Sequence, residues 1–366
     1  MGSYFGRYLL PRRSFLGLTG PLGASCLLGS PLKGESSLES SFRPEYRRRF
    51  EEILVVYDQI ALPYYLNEVI EILKCLPPKL KLYVLVSERR KEEAEKNLSS
   101  FGFEPKFILC KGADLWGDWG RDIFFPGWRK GRKVLFVPYT KTAQKRGALT
   151  RGYQILSTLK DEKHDVLLVP LAFEGGNMAY DLLNGEKVLF VGNSVLVESD
   201  KLYRRWFGRT LDAHSCLALL KRFFGVDRVI PLGRFKGEKP LAQSSFFFHI
   251  DLALSILKEG VVAIERFELP KSRKLLREEI FSELSFEAQL SAKEGRPITR
   301  KVLLERTEES TKFEYRRLLR AGEELQAIRK TFRSLGYRIV DLPTDWRRVR
   351  RTQSYANVLV GQDRVI

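Results

Sequence analysis

Sulfur and imidazole are scarce in this sequence: its 366 residues carry four cysteines, two methionines and three histidines. Cys26 falls near the N-terminus, and the three cysteines left are too few for a disulfide framework. Cys75, Cys110 and Cys216 each stand among apolar neighbours, where an unpaired thiol behaves as a small buried hydrophobe. None has metal-ligand spacing, and three histidines leave little from which to build a structural zinc site. The apolar stretch from Leu16 to Leu28 is far shorter than the ~20 residues a spanning helix needs. Acidic residues are outnumbered: 45 Asp and Glu face 63 Lys and Arg, a formal charge of +18. That balance raises nucleic acid or an anionic membrane as a partner, against the plainer reading of a heavily solvated surface. No recognised nucleic-acid module occurs along the chain, so nucleic acid is not the expected partner. A hydrophobic content of 44% is ordinary for a soluble protein, enough for one large α/β domain or two smaller ones.

The N-terminus has its own pattern. Pro11-Arg12-Arg13-Ser14-Phe15-Leu16 precedes a Gly-rich, weakly apolar run, as in twin-arginine export signals; a chance Arg-Arg in a basic leader is the alternative. Residues 1–29 are therefore set aside from fold reasoning, and the expected destination is periplasmic or membrane-anchored. Leu22-Gly23-Ala24-Ser25-Cys26 loosely approximates a lipobox and admits a lipid tether at Cys26. Residues 30–49, rich in Ser, Gly, Pro and charge, read as a linker, and the folded domain as 50–366.

Within that domain a unit recurs weakly: apolar strand, amphipathic helix, second apolar strand, polar cluster. Val134–Val137 and Val166–Val169 lead to Glu174-Gly175-Gly176-Asn177. Val188–Val191, a helix near Asp212–Phe224 and Arg228–Pro231 lead to His249-Ile250-Asp251. Val261–Ile264 is followed by a charged helical insert over about 272–317, a helix at Glu323–Leu335 and a strand at Tyr337–Val340. Irregular spacing leaves a plain mixed α/β sheet as the alternative. The regularity that matters is chemical, because polar groups at strand ends converge on shared sites in such folds.

Each cluster admits two readings. His249 and Asp251, two apart on extended chain, face the same way and could form a general acid/base with its charge partner, or a satisfied core histidine. Trp119-Gly120-Arg121-Asp122 offers an aromatic face and a carboxylate, the natural partners of a guanidinium, or a loop plug with a surface ion pair. In Glu174-Gly175-Gly176-Asn177 the glycines allow positive φ and close approach, aiming Glu174 and Asn177 into a cleft, or simply make a tight turn.

In order, Trp-x-Arg-Asp, Glu-Gly-Gly-Asn, His-x-Asp and Ser-Tyr-x-Asn (Ser354–Asn357) resemble the agmatine deiminase and bacterial peptidylarginine deiminase family, over about Ile53 to Ile366. The resemblance implies an α/β pentein fold, a pseudo-fivefold propeller of ββαβ modules around one site. It also implies hydrolysis of a small-molecule or peptidyl guanidinium to a ureido product and ammonia, with no metal or organic cofactor. Carried over by motif, Asp122 and Asp251 hold the guanidinium and Trp119 lines its slot. His249 is the general acid/base, Glu174 and Asn177 shape the binding site, and Asn357 lies near the nucleophile.

That nucleophile is a cysteine in a Gly-rich His-Cys segment downstream of Ser-Tyr-x-Asn, and no cysteine follows Cys216 here. The expectation is a truncated or frame-shifted reading frame with an incomplete last module, able to bind a guanidinium but not to attack it. The rival is a non-catalytic exported protein that binds guanidines, or polyanions through the helical insert and the Trp346–Arg351 run. Oligomeric state is not legible.

Overall fold

The computed structural model describes residues 40–41, 52–57, 70–71, 73–74, 81–99, 104–110, 124–129, 132–138, 164–243, 247 and 249–347, all within the compact unit Glu39–Ile366. Strand β1 (Ser40–Ser41) lies inside the segment expected to be a linker. Strands β2 (Glu52–Val56), β3 (Lys81–Ser87) and β4 (Lys106–Cys110) form a parallel sheet, with helix α1 (Lys91–Ser99) crossing from β3 to β4.

The next sheets share one plan. Strand β5 (Phe125–Arg129) makes an antiparallel hairpin with β6 (Arg132–Pro138), and β6 runs parallel to β7 (His164–Val169). Strand β1 adds to the β5 edge, Ser40 opposite Arg129. Strands β8 (Met178–Leu183), β9 (Glu186–Gly192) and β10 (Arg228–Leu232) repeat the arrangement. Beyond a two-residue ribbon of β11 (Phe235–Lys236) and β12 (Lys239–Pro240), strands β13 (Leu254–Lys258), β14 (Val261–Phe267) and β15 (Arg338–Thr344) repeat it again. Helices α2 (Asn193–Phe207) and α3 (Ala213–Phe224) carry the parallel crossover from β9 to β10. Helices α4 (Arg273–Lys293) and α5 (Arg300–Ser334) carry it from β14 to β15.

The middle strands β6, β9 and β14 hold the apolar runs Val134–Val137, Val188–Val191 and Val261–Ile264, buried on both faces as strands within helix-covered parallel sheets are. Alternation then divides β9 between two cores. Val188 and Phe190 pack with Leu318, Leu325, Ile328 and Phe332 of α5, whereas Leu189 and Val191 pack with Val195 and Leu196 of α2 and Phe224 of α3. The Phe224 ring stacks on Phe136 at 4.8 Å between centroids, tying the β5–β7 sheet to the same core.

Helix starts follow local capping chemistry. Asp212, Ser272 and Thr299 accept hydrogen bonds from the backbone N–H groups of Ser215, Leu275 and Val302. The second helix of the expected insert runs on through Ser334, so the helix read at Glu323–Leu335 is its C-terminal half. The hairpin strands β5, β8 and β13 carry no long apolar run, and sequence reading did not find them.

Candidate functional site

Two of the polar clusters occupy equivalent places, each a short 3₁₀ turn at the point where the chain passes into the first strand of the next sheet. Gly175–Asn177 turns before β8, with Asn177 N–H donating to the Glu174 carbonyl at 2.9 Å. Ile250–Leu252 turns before β13, with Ala253 N–H donating to the Ile250 carbonyl at 2.9 Å. The approach to the first turn is fixed from α2: Ala172 N–H donates to Ser199 Oγ at 3.0 Å in a fully buried setting.

The two turns meet. His249 Nε2 lies 2.6 Å from Glu174 Oε2, although 75 residues separate them in sequence. The contact engages the Nε2 edge of the ring, and Nδ1 lies on its other edge. A Cβ built on Gly176 would lie 2.6 Å from His249 Nδ1 and 2.9 Å from Asp251 Oδ2. Both groups therefore close down over bare glycine backbone. Close approach is what Gly176 supplies; its φ is not positive, unlike that of Gly185 in the hairpin turn between β8 and β9. His249 and Asp251 are 7% and 9% exposed, whereas the Glu174 side chain is about a third exposed. The result is a buried imidazole with one carboxylate on its Nε2 side and a second beside its Nδ1 edge.

His249 and Asp251 do converge as their spacing suggested, but through a turn rather than along a strand. His249 is extended, with φ −116° and ψ 145°, and the chain folds immediately after it. Asn177, 4% exposed, turns its Oδ1 toward Gly192 at the end of β9. Trp119, Asp122, Asn357 and Cys26 lie outside the described residues, as do residues 1–29. Cys216 is wholly buried on α3, and desolvation pushes its thiol up to about 12, the opposite of an activated nucleophile. Among the described residues no cluster of His, Cys, Asp or Glu could hold a metal ion.

Sequence reading placed Glu174 in the cleft but did not pair it with His249, since nothing local links positions so far apart. It also passed over Gln243, whose amide links Ser194 at the start of α2 to the carbonyl of Phe247, two residues before His249. The only sequence signal was a lone amide six residues ahead of the histidine.

No protein-family model and no curated protein matches this sequence. Solved structures do. Agmatine deiminase of C. jejuni superposes with a TM-score of 0.56 at 16% identity, covering 92% of this chain and 83% of that one. A cysteine-to-serine variant of the C. jejuni enzyme with substrate bound gives 0.57 at 16% identity, over 92% and 84%. Agmatine deiminase of Enterococcus faecalis, described as catalysing its reaction, gives 0.51 at 14% identity, over 92% and 86%. The chain has the mixed α/β fold of the agmatine deiminases.

Proposed function

We propose that this chain is a guanidine deiminase in its binding and proton-transfer parts, and that its 366 residues bind a guanidinium without turning it over. The observation that carries the reading is the 2.6 Å contact between Glu174 and His249 with Asp251 beside it over Gly176. A guanidinium stays protonated and presents its N–H groups as a planar fork, which carboxylates match. Asp251 takes one side of that fork, and Asp122 is assigned the other. His249, oriented by Glu174, delivers a proton to the departing nitrogen and then draws one from the water that completes hydrolysis.

Between those steps the chemistry requires a thiolate that bonds to the guanidinium carbon as ammonia leaves, and whose bond to that carbon water later breaks. Cys216 is buried in the α3 core and held protonated, and no cysteine follows it. We read the repeated hairpin-plus-crossover sheets as modules of a pentein ring, the arrangement that brings their turns to one centre.

The test is calorimetric titration with agmatine and with an arginyl peptide, alongside a colorimetric assay for ureido product. Saturable binding of one ligand with no product is expected. Asp251→Asn should weaken that binding about 10-fold or more, the loss of one charge-assisted hydrogen bond. Robust product would mean that a nucleophile is present and was not recognised. Absence of binding by either ligand would refute the guanidine assignment.

A further inference from the structure

We infer that Gln243 is a positioning residue that sets the placement of His249, an inference that rests on the acid/base role proposed for that histidine. Gln243 stands in irregular chain after β12, six residues before His249, and its amide makes directed contacts at both ends. Oε1 accepts from Ser194 N–H at 3.2 Å and from Ser194 Oγ at 2.5 Å, at the start of α2. Nε2 donates at 2.9 Å to the carbonyl of Phe247, two residues before His249. One side chain thus fastens the segment carrying the imidazole to the first turn of a packed helix.

Gly192 links this clamp to the other turn. A Cβ on Gly192 would collide with Gln243 Oε1 and would sit 2.5 Å from Asn177 Oδ1. The Gln243 amide and the Asn177 side chain therefore rest on the same bare patch of backbone at the end of β9. Asn177 ends the turn that begins at Glu174. Both members of the Glu174–His249 contact are accordingly referenced to one floor, one through Asn177 and the other through Gln243 and Phe247. Hydrogen bonds that hold an acting side chain at the required height are commonly worth as much as the groups that touch the ligand. A Gln has the reach for this span; removal of its amide takes this donor from the Phe247 carbonyl and lets His249 rise from Gly176.

The sequence makes the test tractable, because its three histidines are His164, His214 and His249. Ring ¹⁵N–¹H correlation spectra are recorded for the full chain and for Gln243→Ala, Gln243→Glu, Ser194→Ala and Glu174→Gln, with His249→Ala for assignment and thermal unfolding for each. Gln243→Glu keeps the acceptor for Ser194 and loses the donor to Phe247, in nearly the same volume. Gln243→Ala and Gln243→Glu should displace the His249 ring signals by at least half the displacement that Glu174→Gln produces. Ser194→Ala should displace them less, and His164 and His214 should stay in place. Affinity for agmatine should fall about tenfold in Gln243→Ala. A lowered melting temperature with unmoved His249 signals, in both Gln243→Glu and Ser194→Ala, would overturn the proposal and leave Gln243 a packing residue. If Glu174→Gln leaves His249 unmoved while the Gln243 variants shift it, the positioning role stands and the acid/base pair fails.

Discussion

At the scale of single residues the site depends on what is missing from Gly176. A methyl group there would meet His249 Nδ1 at 2.6 Å and Asp251 Oδ2 at 2.9 Å, both inside van der Waals contact. Neither neighbour can swing aside cheaply, because both are buried and Nε2 of the same ring is held by Glu174. Gly176→Ala should therefore cost on the order of 1–3 kcal/mol of stability through overpacking. It should weaken agmatine binding by more than that same loss would imply for a residue elsewhere. Gly322→Ala, inside α5 with open space around the new Cβ, is the matched control. It should raise stability by up to about 1 kcal/mol through helix propensity and leave binding unchanged. Equal loss of binding in both variants, read by calorimetry, would detach Gly176 from the site.

At the scale of elements, what was legible in sequence follows from which residues carry a one-dimensional signal. Apolar runs at Val134–Val137, Val188–Val191 and Val261–Ile264 are buried on both faces, so continuous hydrophobicity gave β6, β9 and β14 away. Their hairpin partners carry Pro126 and Gly127 in β5 and the buried Asp181 in β8, and such strands lack a clean period. Asp181 is tolerated because Tyr337 Oη donates to it at 2.5 Å from 156 residues away, a partner no local pattern discloses. The two turns of the site were found as motifs, whereas the contact between them arises only from folding. A similar long-range device fastens α5 to its sheet. Arg329, 6% exposed, donates to Asp341 Oδ1 at 2.5 Å and to the carbonyls of Ile264 and Glu265 at 3.1 and 3.0 Å. Arg329→Met keeps the packed stem and removes those donors, and should cost about 2–3 kcal/mol in urea denaturation, chiefly through the carbonyls. The hydrogen bond from Arg329, more than that from Arg266, holds the Asp341 carboxyl below its ordinary value of 3.8. Its folded value being depressed, its contribution is present above that ordinary value and is lost as pH falls below it. The gap in stability between the two proteins should thus narrow between neutral pH and about pH 3; a constant gap would show that Asp341 takes no part.

At the scale of the whole molecule the question is whether a formal charge of +18 belongs to the function or only to the surface. The α4–α5 hairpin was the first candidate for a polyanion face, yet its charges are interleaved rather than sorted by sign. Lys312 lies 3.3 Å from Glu308 and Arg317 lies 2.6 Å from Glu314 within α5, and Arg277 of α4 reaches toward Glu308 across the pair at 3.7 Å. Arg347, in the basic run beyond β15, is shared between Glu279 and Asp345 and also lies over Trp346. Such pairs add little stability where they are exposed, but each sets a carboxylate beside a cation and so weakens the positive field that releases counterions when a polyanion binds. The site itself has the opposite character, with Glu174 and Asp251 flanking one imidazole. On the proposed reading a cationic guanidine would be drawn by local carboxylates in a molecule whose overall field repels it, and the overall field is the part that salt screens. Heparin retention should accordingly be weak and lost by roughly 0.2 M salt, and saturating agmatine should not displace heparin. Agmatine affinity, governed by contacts inside the turns, should change less than about threefold over the same range. Heparin binding that survives such salt and is displaced by agmatine would place the basic surplus at the site and make polyanion recognition the function.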